Sequence, residues 1–298
     1  MNVQVNAEGK THRVSSKKAS YKHRLKPAEA RNLWLSRLFI WIVIAAVMYP
    51  ILWVFAASMS KGTNFYLGSL FPKEFSFINY EKVIMRTNFL IWVKNSMQVC
   101  LGVSLVQMAL TTTAAYAFSR MRFKGRKYGL MSLLLLQLFP SAMAVSAIYL
   151  IVYRFNLIDS LFALILLLAG GSAFNIWLLK GYMDQLPREL DEAAVVDGAS
   201  HFQVFWRVIL PLASPMLVVI FLFSFIGAYT EFIISSVVAR SPERYTLVVG
   251  LRSFITDRFG NWTQFSAASI MASVPIMIVF MFLQKYIQQG LAAGAIKG

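Results

Sequence analysis

The stretch Leu190–Pro211, LDEAAVVDGASHFQVFWRVILP, is a polar segment between long apolar runs of the chain. Acidic residues near its start suit the positive end of a helix dipole, and Pro187 is expected in the first turn of that helix. Gly198 predicts the end of the helix, because glycine accepts the left-handed conformation that commonly follows a helix C-terminus. Ser200 with Gln203 three residues later is a capping-box pattern. The stretch therefore predicts two short helices joined by a glycine turn.

The composition is that of a membrane protein. Hydrophobic residues make up 58% of the 298 residues, charged residues only 14%, and the mean hydropathy is +0.60. Cys100 is the only cysteine and the three histidines are far apart in sequence, so we expect no disulfide framework and no metal site. The sequence contains no G-x-x-x-x-G-K-[ST] motif, so we expect no ATP or other cofactor bound by this chain. It is predicted to be a polytopic membrane protein.

Six apolar runs are each long enough to cross a bilayer, which takes about 20 helical residues. The predicted fold is therefore all-α, with six transmembrane helices. Prolines in or at the ends of these runs (Pro50, Pro140, Pro215 and Pro275) indicate kinked helices around a cavity. The predicted spans are Leu38 to Ala57, Ser96 to Phe118, Tyr128 to Tyr153, Leu161 to Leu179, Leu212 to Ala239 and Phe265 to Tyr286.

Basic residues predict the orientation. Residues 1–37 are strongly basic, as is the short loop between spans 2 and 3, and loops rich in Lys and Arg stay in the cytoplasm. We interpret residues 1–37 as a cytoplasmic tail beside anionic lipid, not as a nucleic-acid arm or a cleaved signal peptide. Six spans then put both termini and the loop 187–211 in the cytoplasm.

One motif within that loop resembles the "EAA" loop of the membrane subunits of bacterial ABC importers. This resemblance implies that the loop is a coupling helix, which docks on a cytoplasmic ATPase subunit. Val208 stands where that family usually has isoleucine. The matching residues are Glu192, Ala193, Ala194, Gly198, Leu210 and Pro211.

Three further segments resemble carbohydrate importer permeases, the last two of them the smaller permease of maltose/maltodextrin importers. They are YAFSRMRF at 116–123, FIGAYTE at 225–231 and GLAAGAIKG at 290–298. The resemblance implies a type I ABC importer transmembrane domain over 38–298, in the bacterial inner membrane, with the coupling helix between spans 4 and 5.

The same resemblance implies the partners. They are a second homologous permease forming a heterodimer with this chain, two ATPase subunits that hold ATP and Mg, an extracytoplasmic binding protein, and an oligosaccharide. It also implies that a periplasmic loop over 241–264 contacts the binding protein. The C-terminal tail 290–298, with Gly294, Lys297 and Gly298, is implied to reach between the ATPase subunits.

Glu231 is the only ionisable residue well inside a predicted span. An intramembrane carboxylate usually faces a cavity, which favours a pathway or gating role, while a hydrogen-bonded structural glutamate is the alternative. Tyr229 beside it is a second candidate pathway residue. Tyr149, Tyr153, Trp177 and Tyr229 could each stack on a sugar ring, but aromatic residues are also common at membrane interfaces.

Three classes of function are compatible with this composition. An oligosaccharide ABC permease, with no catalytic residue of its own, accounts for the loop 187–211. An integral-membrane enzyme would have only Glu231 and an arginine such as Arg240 as its site. An ion-driven secondary transporter would leave the loop unexplained, and we see no repeat between the halves.

The charge of the transported sugar stays open at this stage. The family resemblance points to neutral maltodextrins. A positive outer face would instead suit an anionic oligosaccharide such as a uronate, or would steer an acidic binding protein. Five acids (Glu74, Glu81, Asp159, Glu243 and Asp257) accompany ten bases on the predicted outer side: Lys61, Lys73, Lys82, Arg86, Lys94, Arg154, Arg240, Arg244, Arg252 and Arg258.

Overall fold

The structure is a computed structural model that describes residues 4–5, 11–12, 27–61, 74–256 and 260–295. The chain separates into two units, Met1–Ile51 and Leu52–Gly298. The first unit contains a short antiparallel pair, β1 (Gln4–Val5) with β2 (Thr11–His12), and most of the helix α1 (Pro27–Ser58). Every side chain from 31 to 50 is exposed within this chain.

The second unit contains the end of α1 and twelve further α-helices among the residues described. Two irregular turns interrupt the series, a π-helical turn at Phe205–Ile209 and a 3-10 turn at Pro242–Arg244. The helices are α2 (Ile78–Arg86), α3 (Phe89–Arg120), α4 (Arg126–Gln137), α5 (Ser141–Arg154), α6 (Leu161–Ala169), α7 (Ala173–Asp184), α8 (Glu189–Val196), α9 (His201–Val204), α10 (Leu210–Thr230), α11 (Ile233–Val238), α12 (Leu247–Ser253) and α13 (Trp262–Ala295).

Four helical stretches in the described part are long and apolar enough to span a membrane: Arg31–Ser58, Phe89–Arg120, His201–Thr230 and Trp262–Tyr286. Two predicted spans are instead pairs of helices, and counting each pair as one span brings the total to six. The α4–α5 pair is bent by 92° at Pro140, which has no N–H to continue the helix. The α6–α7 pair is bent by 51° around Gly170 and Gly171.

The fifth predicted span differs at both ends. It was expected to run from Leu212 to Ala239, but the continuous helix ends at Thr230, and α11 follows as a separate helix. At its start, the second short helix predicted after Gly198 does not stop, because α9 continues through the π-helical turn into α10. Pro187 was expected inside a helix, but α8 begins two residues later, at Glu189.

Helix α3 is the centre of the bundle and packs against α6, α7 and α10. Alanines are fully buried where these helices and α13 meet, including Ala115, Ala213, Ala267 and Ala268. Lipid is as apolar as a leucine side chain, so close packing and hydrogen bonds, not escape from water, hold membrane helices together. Small residues at the contacts allow that close approach.

Candidate functional site

The loop 187–211 adopts the glycine turn that its sequence predicts. Gly198 has φ of +84°, and the N–H groups of Gly198 and Ala199 close the end of α8 on the carbonyls of Val195 and Ala194. The capping box is present: Ser200 Oγ accepts from Gln203 N, and Gln203 Oε1 accepts from Ser200 N. This turn sets the direction in which the chain leaves α8 and enters the long helix that contains α10.

The π-helical turn lies directly before Pro211. The N–H of Leu210 donates to the carbonyl of Phe205, five residues earlier, instead of four. Pro211 has no N–H, and its ring would crowd the carbonyl of Arg207 in a regular helix. The wider turn accommodates that ring, so the Leu-Pro pair of the motif marks an irregular turn where the loop joins the membrane helix.

Apolar side chains of this loop are exposed within the chain. Val196 is 86% exposed and Phe202 70%, and Trp206 packs edge-on against Phe202. Glu192 and Ala193 of the motif are also exposed, and Ala194 is half-buried. The outward side of α8 and α9 is therefore free of contacts with the rest of the described chain.

An ion pair joins α8 to the end of α3. Arg120 Nε lies 2.7 Å from Asp191 Oδ2, and the same guanidinium donates through Nη2 to the carbonyl of Leu186. The side chain of Arg120 is only 7% exposed. Burial raises the pKa of Asp191 above its ordinary value, which the charges of Arg120 and Arg188 oppose only in part. Such a pair adds little net stability, but it holds the two helices in one arrangement.

The end of α3 is also closed by Arg126 from α4. Its Nε donates to the carbonyl of Phe118 and its Nη2 to that of Ser119, and a cation at a helix C-terminus is favoured by the helix dipole. Ser119 Oγ donates to Asp184 at the end of α7. Arg120 and Arg126 are among the bases near the loop between spans 2 and 3 that predict its cytoplasmic position. Both therefore also form hydrogen bonds within the fold.

A cavity of about 520 Å³ lies beside the break between α6 and α7. Three polar side chains from three helices meet at its wall. Asn175 Nδ2 lies 3.1 Å from Ser224 Oγ and 3.4 Å from Gln107 Oε1, and Gln107 Nε2 donates to the carbonyl of Leu168. Backbone polar groups freed at a helix break in a membrane need such partners.

The break has a second polar partner in Gln137 of α4. Its Oε1 accepts from Phe174 N, and its Nε2 lies 3.4 Å from the carbonyl of Gly171. A neighbouring cavity of about 710 Å³ is also lined by Gln137 and Gly171. The two cavities therefore adjoin at the same break.

Glu231 lines the smaller cavity and has a structural role as well. Its carboxylate oxygens accept from Ile234 N at 2.7 Å, Ser235 N at 2.9 Å and Ser235 Oγ at 2.7 Å, so it caps the start of α11. Both interpretations from the sequence therefore have a geometric basis. Glu231 lies between two helices, not inside one, which explains why a carboxylate is tolerated there.

Tyr229 does not line that cavity. It is 7% exposed, its hydroxyl donates to the carbonyl of Ala272, and its ring stacks on Phe225. The structure places this candidate pathway residue in the packed core. Tyr149 and Tyr153 stack on each other on α5, and the guanidinium of Arg240 lies over Tyr149, while Trp177 is exposed beside Phe174.

The predicted loop 241–264 contacts the start of α3 through residues 242–250, and its residues 257–259 lie outside the described part. Trp92 Nε1 donates to the carbonyl of Pro242, and Asn95 Nδ2 donates to those of Glu243 and Tyr245. Within α12, Gly250 lies so close to Trp92 that an added Cβ would be 2.2 Å from the indole ring. The loop gives way to α13 at Trp262, before the predicted boundary.

Asp159 fixes the start of this loop. Its Oδ1 accepts from Arg240 N and Ser241 N, and its Oδ2 accepts from Ser241 Oγ at 2.6 Å. Burial alone would raise the pKa of Asp159, but these hydrogen bonds and the charge of Arg244 outweigh it, and the pKa lies below its ordinary value. Among the outer bases, Lys61 is paired with Glu74.

The C-terminal residues Lys297 and Gly298 lie outside the described residues, and Gly294 belongs to α13. Within the described part, no three His, Cys, Asp or Glu side chains are grouped as a metal site would require. The sequence reasoning did not find the Gln107–Asn175–Ser224 cluster. Its only signal is the presence of amide side chains within otherwise apolar runs.

Comparison with known proteins shows the family of the chain. The family model for "Binding-protein-dependent transport system inner membrane component" matches residues 107–293. The chain is 39% identical to the galactooligosaccharides transport system permease protein GanQ of Bacillus subtilis, over 90% of this chain and 96% of the relative. It is 36% identical to the maltose/maltodextrin transport system permease protein MalG of Escherichia coli K12, over 91% and 98%.

A maltodextrin transport system permease protein of Bacillus subtilis, MdxG, is 35% identical over 91% of this chain and 98% of its own length. A chain in the crystal structure of a bacterial ABC transporter involved in the import of the acidic polysaccharide alginate has the same fold. Its TM-score is 0.73 at 24% identity, covering 88% of this chain and 98% of that one. The chain thus belongs to the binding-protein-dependent transport system inner membrane components, and it is a multi-pass permease subunit of a sugar ABC importer, not an enzyme.

Proposed function

We propose that this chain and a second homologous permease form the translocation pathway of an ATP-driven importer for oligosaccharides. The observation that carries the proposal is the exposed side of α8 and α9, on a loop that the ion pair of Arg120 and Asp191 fixes to α3. Apolar side chains that a chain leaves exposed together commonly form a protein contact. We assign this surface to a cytoplasmic ATPase subunit, which binds ATP and Mg.

The motif residues have distinct parts in this coupling loop. Glu192, Ala193 and Ala194 form the docking side of α8, and the two alanines permit close approach of the partner. Gly198 sets the turn, and Leu210 with Pro211 joins the loop to α10. When the ATPase subunits close, α8 moves, and the ion pair transmits that movement to α3 beside the cavity.

The remaining partners follow from the same family. An extracytoplasmic binding protein delivers the sugar, and we assign its contact to the loop 241–264, whose exposed residues include Glu243, Arg244 and Arg252. One solved alginate transporter with this fold is in complex with an alginate pentasaccharide-bound periplasmic protein. We assign the basic tail 1–37 to the cytoplasmic side, beside anionic lipid. The C-terminal tail 290–298 is also cytoplasmic and reaches between the ATPase subunits.

The substrate is an oligosaccharide, and a neutral maltodextrin is our first choice. Two of the relatives are named for maltodextrin transport and one for galactooligosaccharides. An acidic oligosaccharide is the second candidate, which the excess of bases on the predicted outer face favours.

Uptake by the reconstituted complex tests the function. The chain, its partner permease, the ATPase subunits and the binding protein are placed in vesicles, with labelled maltotriose, galactotriose or an alginate trisaccharide outside. We expect uptake of one neutral sugar that requires internal ATP and no ion gradient. Uptake driven by an ion gradient without ATP would instead establish a secondary transporter. The assay is repeated from low to high salt. Salt weakens electrostatic attraction of the binding protein to the outer face, so a salt-independent preference reports recognition of the sugar itself.

Cross-linking tests the coupling surface separately. Cys100, the only native cysteine, is 1% exposed, so an added surface cysteine can be labelled selectively. We expect Val196→Cys to cross-link to the ATPase subunit in the assembled complex. Arg154→Cys, at the end of α5, is the control and should give no ATPase adduct. An adduct from Arg154→Cys alone would reverse the proposed orientation.

A further inference from the structure

A cavity lined by basic side chains lies where the loop between spans 2 and 3 enters α4. Its volume is about 510 Å³, and we call it the basic cavity. Two loop residues, two residues of α4 and one of α7 line it: Phe123, Gly125, Arg126, Lys127 and Lys180. No aspartate or glutamate is among the described residues of this lining. The basic cavity therefore has the charge of an anion site.

The two bases from α4 have no counter-charge in the described part of the chain. Lys180 is paired with Asp184, four residues later on α7. Lys127 forms no ion pair with a described residue, and its ammonium lies 5.2 Å from the centre of the Tyr128 ring. Among the described residues, Arg126 donates only to backbone carbonyls, which are neutral. Two positive charges therefore remain for an anion from outside the chain.

An apolar face of α4 continues from the basic cavity. Residues three and four positions apart lie on one side of a helix, and four large side chains follow this spacing from the start of α4 to the residue after it. Each of them is more than half exposed within the chain: Tyr128, Met131, Leu135 and Leu138. Together, α4 and α5 are apolar enough to form one membrane span. The bases thus lie at the end of a predicted span, and the apolar face extends from them along its first half.

An amphiphilic anion satisfies both features. A free phosphate would use the bases but leave the apolar face unused, and a lipid without net charge would use the face but leave the bases uncompensated. A phospholipid with a net negative charge has its anionic headgroup joined directly to acyl chains, in the same order as the two features along α4. In the orientation that we propose, this loop is cytoplasmic, and basic pockets between helices on that side bind anionic headgroups.

We propose that the basic cavity and the apolar face of α4 bind one anionic phospholipid of the cytoplasmic leaflet. Lys127 and Arg126 hold its phosphate, and its acyl chains lie along Met131 and Leu135. Arg126 also closes the end of α3, so the bound lipid stabilises the helix end from which Arg120 reaches α8. The site is separate from the path of the transported sugar.

Photolabelling in nanodiscs tests the lipid site. The complete complex of both permeases and the ATPase subunits is placed in nanodiscs of phosphatidylcholine that contain a trace of a photoactivatable lipid. The probe is phosphatidylglycerol with a diazirine in one acyl chain, and phosphatidylcholine with the same chain is the reference. We expect the phosphatidylglycerol probe to label peptides of α4 more strongly than the reference does, and we expect unlabelled phosphatidylglycerol to compete.

Two lysine variants locate the headgroup. Lys127→Gln removes one base from the lining, and labelling of α4 by phosphatidylglycerol should fall about fivefold, the change that corresponds to about 1 kcal/mol per base near an anionic lipid. Lys124→Gln is the matched control, because Lys124 is exposed in the same loop but does not line the basic cavity. The preference for phosphatidylglycerol in the wild-type complex gives a readout that does not depend on either variant folding.

Each outcome decides the inference. Equal labelling of α4 by the two probes, or a loss in Lys127→Gln no larger than that in Lys124→Gln, would refute a selective site. Glycerol phosphate has the headgroup chemistry without acyl chains, and competition by it as strong as that by phosphatidylglycerol would show a site for soluble phosphate instead. A cross-link from Lys127→Cys to the ATPase subunit would assign the bases to that partner and refute the lipid. None of these results affects ATP-driven uptake, which tests the proposed function separately.

Discussion

The guanidinium of Arg120, the last residue of α3, lies 2.7 Å from the carboxylate of Asp191 in α8, measured from Nε to Oδ2. Asp191 Oδ1 is buried and accepts no hydrogen bond from the described residues. The pair thus joins the helix beside the cavity to the helix that we assign to the ATPase contact. Its geometry makes Arg120 a positioning residue for the loop 187–211.

We expect Arg120→Ala to uncouple sugar uptake from ATP hydrolysis and to destabilise the complex. Removing one partner of a buried ion pair costs about 3–5 kcal/mol, and the 19% exposure of Asp191 puts the expected loss at the lower end. Thermal unfolding and the ratio of sugar transported to ATP hydrolysed measure the two effects. Arg120→Met with Asp191→Leu should recover stability, because no buried charge remains alone. The exposed Lys124→Ala is the control, and an unchanged ratio in Arg120→Ala would contradict the assignment.

Gly198→Ala should impair the coupling of ATP hydrolysis to sugar uptake, because it strains the backbone of the turn without creating a side-chain clash. No atom lies within 4 Å of a Cβ added at Gly198, but its φ of +84° is left-handed, which costs about 1–2 kcal/mol for other residues. Gly181→Ala in α7 also meets open space and should stabilise its helix by about 0.5–1 kcal/mol. We expect the midpoint of thermal unfolding to fall in Gly198→Ala and to rise in Gly181→Ala. Equal effects would show that the turn does not depend on glycine.

Asp159→Asn should lower stability at neutral pH and have little effect in acid. Asparagine tolerates the φ of +62° at this position, but its amide replaces one of the oxygens that accept hydrogen bonds from Arg240 and Ser241. Hydrogen bonds to a charged group contribute about 1.5–3 kcal/mol each.

The pH dependence follows from the lowered pKa of Asp159. The stabilisation is fully present above the unfolded-state pKa of about 3.9 and is lost as the pH falls through the lower folded-state pKa. Unfolding midpoints of the wild type and the variant should therefore differ most above that value and converge below it. A constant difference across the range would contradict this linkage.

Gly250→Ala should displace the loop before α13. Its Cβ would lie 2.2 Å from the ring of Trp92, a rigid side chain held by its bond to the Pro242 carbonyl, and overpacking of this kind costs about 1–3 kcal/mol. Gly102→Ala is the comparison, since its nearest contact is the flexible end of Ile165. Binding-protein-stimulated ATPase activity should fall more in Gly250→Ala than in Gly102→Ala. The reverse order would argue against a role of this loop in receiving the binding protein.

Much of the structure of the loop 187–211 could be predicted because its signals are local. Gly198 with the Ser200 and Gln203 capping box depends on neighbouring residues, and the structure has these features as expected. The kink at Pro140 was also indicated by a local signal, but the breaks after Ala169 and Thr230 were missed for the opposite reason. A helix that ends at Ala169 or Thr230 inside an apolar run depends on partners such as Gln107, which is distant in sequence.

The motif around Gly198 indicated the family through its resemblance to known importers, whereas composition and apolar runs alone determined the class of protein and the approximate positions of the spans. These properties follow from residue chemistry and short-range backbone preference, which do not require knowledge of neighbours in space. Only the tertiary structure decided that Tyr229 is packed in the core and that Glu231 caps α11 at a cavity wall. It also brought Asn175 beside Ser224, because the contacts of a polar side chain in a membrane are set by the helices packed around it.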